Sequence, residues 1–125
     1  MVKIVVVDDD STNVNLTKML LELDGFEVDA FTDLVHARQA SDASLYIIDC
    51  NLSRGQDGLD LLKEIRSGQT AVSEKTAVIM TSGDYRKENE AEEANADLFL
   101  LKPYAPNDLS QAIEKLLQND ETISE

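Results

Sequence analysis

Three consecutive aspartates, Asp8, Asp9 and Asp10, follow directly on the apolar run 4–7, and Asp49 follows a second apolar run, 45–48. Two further runs end in the same way: Met80 is followed by Thr81 and Ser82, and Leu101 by Lys102 and Pro103. Carboxylates gathered at bonding distance resist ionising together unless a cation sits among them. Hard oxygen donors that leave room for water suit Mg2+, which takes a few carboxylates and completes its octahedron with water and phosphate oxygens. A carboxylate can also attack phosphorus and become an acyl phosphate. In such a reaction Lys102 and the metal would neutralise charge on the transferring oxygens, and the Thr81 hydroxyl could donate a hydrogen bond to one of them. Polar residues often end strands, so each junction is weak alone. Together the four are a strong signal.

For these side chains to meet, the runs before them must end along one edge. Five runs stand out, at 4–7, 26–31, 45–48, 77–80 and 98–101. Four are continuously apolar, the pattern of strands buried on both faces of a parallel sheet. The run 26–31 alternates instead and is placed at an edge. Between the runs lie helix-length segments. Leu16, Met19, Leu20 and Leu23 recur at i, i+3, i+4 and i+7, one face of a helix that stops before Gly25. Leu59, Leu62 and Ile65, with Leu61 beside them, predict a helix after Gly58; Leu109, Ala112, Ile113 and Leu116 predict one after Pro106. The stretches 33–41 and 84–95 are weaker. The second carries Glu88, Glu90, Glu92 and Glu93 and has only Tyr85, Ala91 and Ala94 to bury, so it reads as a loosely held helix closed by a left-handed Asn95. Asp10 or Ser11 is expected to cap the first helix. Strand then helix, five times over, predicts an α/β fold with a doubly wound parallel sheet and helices on both faces. In such a sheet ligands bind at the C-terminal strand edge, where the four junctions lie.

The bulk properties narrow the class. A chain of 125 residues, 42 % apolar and 29 % charged, holds one core and one domain. Its net charge of −14 repels phosphate backbones, which argues against direct nucleic-acid binding. The apolar runs are far too short to span a bilayer, and aspartates interrupt the N-terminus where a secretory signal would need apolar residues. A single cysteine fits a reducing, cytoplasmic setting. Strand alternation turns Cys50 to the face opposite Asp49, where it reads as packing, and His36 reads as a surface histidine.

Over essentially its whole length the chain resembles the receiver domain of bacterial two-component response regulators. The residues that carry the resemblance are Val7-Asp8-Asp9, Asp49, Thr81-Ser82 and Lys102-Pro103, in the family's order and spacing. The resemblance implies a flavodoxin-like fold with five parallel strands in the order 2-1-3-4-5 and five helices. It implies that Asp49 accepts a phosphoryl group from a histidine kinase or phosphotransfer protein. Asp9 and Asp49 would ligate Mg2+ directly, with the main-chain carbonyl of Asn51 as a third protein ligand and Asp8 acting mainly through water. Thr81 and Lys102 would contact the phosphate, and Phe99 falls where such domains carry a switch aromatic that moves with the threonine. A cis bond before Pro103 is part of the same pattern. The output surface would be the fourth helix, fifth strand and fifth helix, read by a downstream protein or a separate output domain, with homodimerisation open. Residues 1–118 then form the receiver and 119–125 an acidic tail, with Met1 read as a true start.

One segment departs from the family. Receivers usually carry a proline four residues after the acceptor and a glycine eight after it. Here Ser53 replaces the proline and Gly58 comes one residue late, so the loop 51–57 is longer by one. Asn51 and Gly83 border the acceptor at positions that tune acyl-phosphate lifetime in the family. Two rivals compete with the signalling reading. Asp8-Asp9-Asp10-Ser11-Thr12 also fits the nucleophile motif of haloacid-dehalogenase phosphohydrolases, with Asp8 attacking; that leaves Asp49 without a role and lacks a strand after the lysine to carry further acids. The other rival is a receiver-fold adaptor without phosphotransfer, against which stands the complete set of acids, threonine and lysine.

Overall fold

The computed structural model describes the backbone of residues 2–124 and the side chains of residues 2–118. Five strands, β1 (Lys3–Val7), β2 (Glu27–Phe31), β3 (Leu45–Asp49), β4 (Ala77–Ser82) and β5 (Leu98–Leu101), pair in parallel in the order β2-β1-β3-β4-β5. Five α-helices alternate with them: α1 (Ser11–Leu23), α2 (Leu34–Ala37), α3 (Gly58–Arg66), α4 (Lys87–Glu93) and α5 (Pro106–Ser124). This is the doubly wound sheet expected from the strand–helix repeat. Among the described residues no helix is long and apolar enough to cross a membrane.

Strand alternation divides the core in two. Ile4, Val6, Leu45, Ile47 and Ile79 face one layer, with Val14 and Leu21 of α1 and Ile113 of α5. Val5, Val7, Ile48, Val78 and Met80 face the other, with Leu34 of α2, Leu62 and Ile65 of α3 and Ala91 of α4. β3 and β4 are buried along their whole length, as continuously apolar central strands should be. β5 is equally apolar in sequence but lies at the sheet edge, so its residues are only partly covered and Leu101 remains 47 % exposed. Apolar content alone cannot separate an edge strand from a central one.

Four helices, α1, α2, α4 and α5, differ from expectation. α1 is capped by Asp10, whose carboxylate accepts from the N–H groups of Thr12 and Asn13. The face it buries is Val14 and Leu21, seven residues apart, whereas Leu16, Met19 and Leu23 of the expected face are 50, 55 and 78 % exposed. Apolar residues surround this helix on more than one side, so periodicity found a stripe but not the one turned to the sheet. α2 is a single turn instead of spanning 33–41, and α4 covers seven residues instead of 84–95, burying only Ala91. Asn95 closes α4 with a left-handed φ of 68°, as expected. α5 carries helical backbone to Ser124, past the end expected at 118; the side chains of the expected tail 119–125 lie outside the described residues.

Candidate functional site

Strand alternation determines which side chains meet. Within β1, even-numbered residues face α1 and α5, and Asp8 continues that parity. In β3 the odd-numbered residues do so, through to Asp49. Asp49 is aligned with Thr81 across the β3–β4 pair, and Leu98 and Leu100 place the parity of Lys102 on the same side. All four therefore converge at the C-terminal edge of one sheet face. The backbone beyond the strands tightens this edge: the Cys50 N–H donates to the Thr81 carbonyl at 2.8 Å, and the Lys102 N–H to the Ser82 carbonyl at 2.8 Å.

The Lys102 ammonium lies between two acids, donating to Asp49 Oδ2 at 2.9 Å and to Asp8 Oδ2 at 3.0 Å. The second oxygen of each acid is held by backbone. The Asn51 N–H donates to Asp49 Oδ1 at 3.1 Å, and the Asp10 N–H to Asp8 Oδ1 at 3.0 Å. Burial pushes the Asp49 carboxyl above the ordinary carboxylate range, more than the bonds from Lys102 and Asn51 pull it down; the nearby Asp8 charge adds to the rise. Burial also works against the Lys102 ammonium. The hydrogen bonds and charges of Asp49 and Asp8 outweigh it, so the amine is held above its usual value and stays charged.

Asp9 completes the acid group from an exposed position. One carboxylate oxygen from each of Asp8, Asp9 and Asp49 can be chosen so that all three lie within 4.8 Å of one another. Three hard oxygen donors at that spacing, two of them on buried residues, fit Mg2+. Receiver domains bind Mg2+ at an acidic pocket of this kind.

Thr81 is buried beside Asp49. Asn51 is exposed, contributes its N–H to Asp49, and reaches Ser82 Oγ through its side-chain amide at 3.4 Å. Gly83 opens onto free space: a Cβ there would meet nothing within 4 Å. Phe99 packs with the cluster that holds α3 and α4, on the sheet face away from the acids. Cys50 is buried there too, and burial pushes its thiol up to about 12, which leaves it inert. His36 is exposed and bonded to Asp33. The Lys102–Pro103 peptide is cis.

The lengthened loop is where sequence reasoning had least hold. Its extra residue is absorbed by a 3₁₀ turn, Ser53–Gly55, with Arg54 and Gly55 both left-handed at φ 62° and 73°. Asn51 and Asp57 then bridge, and the Gly58 N–H donates to the Cys50 carbonyl at 2.9 Å. Gly58 thereby packs directly on the Asp49 backbone, where a Cβ would collide with the Asp49 carbonyl oxygen. Two contacts here had no sequence signal beyond the departure itself: Gly58 on Asp49, and the Ser53 hydroxyl donating to Asp9 Oδ2 at 2.8 Å.

The chain is similar to known proteins in sequence and in fold. The family model of the response regulator receiver domain matches residues 4–114. Protein PetR of Rhodobacter capsulatus is 31 % identical over 118 residues, covering 92 % of this chain and 48 % of that protein. Chemotaxis protein CheY-3 of Vibrio cholerae is 29 % identical over 122 residues, covering 93 % of this chain and 92 % of that protein. The crystal structure of a CheY-like receiver domain protein from Methanospirillum hungatei superposes with a TM-score of 0.86 at 25 % identity, covering 98 % of each chain. The fold and the acid–lysine edge define a signalling receiver. This chain belongs to the response regulator receiver domain family, whose members are phosphorylation-dependent switches. The phosphohydrolase and adaptor readings are not favoured. The chain spans about half the length of PetR.

Proposed function

We propose that Asp49 is the phosphoacceptor and that a histidine kinase or phosphotransfer protein supplies the phosphoryl group. The observation that supports this most is the position of Asp49: it ends the central strand, Thr81 is its register neighbour, and Lys102 lies 2.9 Å from its Oδ2. Asp8 shares the lysine but lies beyond the paired residues of β1, which end at Val7.

In the transfer, an Asp49 carboxylate oxygen forms a bond to phosphorus while the donor's N–P bond breaks and its electron pair leaves with the imidazole. Lys102 shifts from the carboxylate to the incoming phosphoryl oxygens, and the Thr81 hydroxyl donates to one of them. Asp8, Asp9, Asp49 and the Asn51 carbonyl would hold Mg2+, with Asp8 acting mainly through water; the ion supplies further charge neutralisation on the phosphoryl oxygens. Thr81 and Phe99 then bias a two-state equilibrium at the surface of α4, β5 and α5. A downstream protein, or an output domain such as could occupy the remaining length in PetR-like relatives, reads that surface in the cytoplasm. Residues 1–118 form the switch and 119–125 an appendage to it.

Intact-mass measurement after incubation with Mg2+ and a small phosphodonor tests the assignment. The wild type is expected to gain one labile phosphoryl group and Asp49→Asn none. Phosphorylation of the Asp49→Asn variant at the wild-type level, or steady phosphate-ester turnover lost in Asp8→Asn, would overturn it.

A further inference from the structure

Lys102 steadies Asp8 and Asp49, but the third acid, Asp9, is exposed and is held differently. Its Oδ2 accepts from the Ser53 hydroxyl at 2.8 Å, a bond that ties the segment after β1 to the segment after β3 across 44 residues of sequence. Ser53 does not reach this position by chance of a floppy loop. It opens the 3₁₀ turn, whose left-handed Arg54 and Gly55 bring the chain back on itself. The Gln56 N–H donates to the Ser53 carbonyl and the Leu52 N–H to the Gln56 carbonyl, each at 3.2 Å. The Gln56 side chain also accepts from the Leu34 N–H at 3.4 Å, anchoring the turn to the start of α2. The turn in this lengthened loop thus presents the Ser53 hydroxyl as a donor to one of the three acids.

A carboxylate ligand that is free to rotate loses that freedom when a metal binds; a ligand already oriented by a hydrogen bond loses less. With Oδ2 held by Ser53, the Asp9 carboxylate meets an incoming cation already oriented. We infer that Ser53 is a positioning residue for Asp9 and sets the Mg2+ affinity of the site through it. The inference rests on the reading of Asp8, Asp9 and Asp49 as a Mg2+ site and adds to it a residue outside the acid group.

Isothermal titration of Mg2+ into the wild type, Ser53→Ala, Ser53→Thr and Asp9→Asn tests it. Ser53→Ala is expected to weaken binding by about three- to tenfold, at or below the low end for an orienting partner of a metal ligand, because the bond is exposed. Ser53→Thr keeps the hydroxyl and is expected to bind within about twofold of wild type, and Asp9→Asn is expected to weaken binding most. If Asp9→Asn binds like wild type, the metal reading itself fails. If Asp9→Asn weakens binding while Ser53→Ala does not, or if Ser53→Thr is as weak as Ser53→Ala, the metal reading stands and the role of the Ser53 hydroxyl is overturned.

Discussion

At the residue scale the site is a competition for one ammonium. Asp49 ionises less readily than an ordinary carboxylate because burial opposes its charge more strongly than Lys102 and the Asn51 N–H support it. A carboxyl whose folded pKa lies above its unfolded value binds its proton more tightly when folded. Its ionisation therefore lowers stability as pH rises from the ordinary carboxylate range through the raised value. Replacing Asp49 with Asn removes that titration. In metal-free buffer, urea midpoints of wild type and Asp49→Asn are expected to diverge in favour of the variant as pH rises above the ordinary carboxylate range of about 4; a constant gap would contradict the assigned direction. The residues of this competition were legible in the sequence because each follows an apolar run and continues its strand's parity. Ser53 was not legible in that way. Its contact with Asp9 depends on two consecutive left-handed residues, one of them Arg54, which no periodicity announces.

The elements explain why legibility stops at the loops and on α1. Strands buried on both faces have little freedom of register, so five apolar runs suffice to recover the sheet. α1 carries apolar residues on more than one face, and only packing against the sheet selects Val14 and Leu21 over Leu16, Met19 and Leu23. The loop 51–57 is a third case: the sequence showed its extra residue but not that Gly58 would still abut Asp49. At Gly58 a Cβ would press on the backbone of Asp49, which cannot yield as a flexible side chain can. Gly58→Ala is expected to destabilise the fold by about 2–4 kcal/mol, at or above the usual range for overpacking, and to slow phosphorylation of Asp49. Gly55→Ala meets open space and strains only a left-handed φ of 73°, so its expected cost is about 1 kcal/mol. Denaturant unfolding of the two variants gives the comparison, and equal costs would contradict the close approach at Gly58.

For the whole molecule the question is how an event on one sheet face reaches the other. The acids, Thr81 and Lys102 belong to the face shared with α1 and α5, while Phe99 and α4 belong to the opposite layer. The two layers share one sheet, and β5 links them directly: Leu100 is aligned with Thr81, and Phe99, the next residue back, points into the cluster that contains Ala91 of α4. α4 is the element least able to resist such a push. It spans seven residues, buries Ala91 alone, and carries no side-chain cap at its N-terminus. A helix so sparsely anchored opens at low cost, and its amides are expected to exchange readily in the resting state. A phosphoryl group that draws Thr81 and Lys102 toward Asp49 would shift β5 and select one packing of α4. Amide exchange across 87–93 is therefore expected to slow on phosphorylation, with α1 changing less even though α1 stands on the same face as the acids. Phe99→Ala is expected to phosphorylate normally yet lose that protection. Slowing confined to α1, or protection of α4 that survives Phe99→Ala, would exclude β5 as the route.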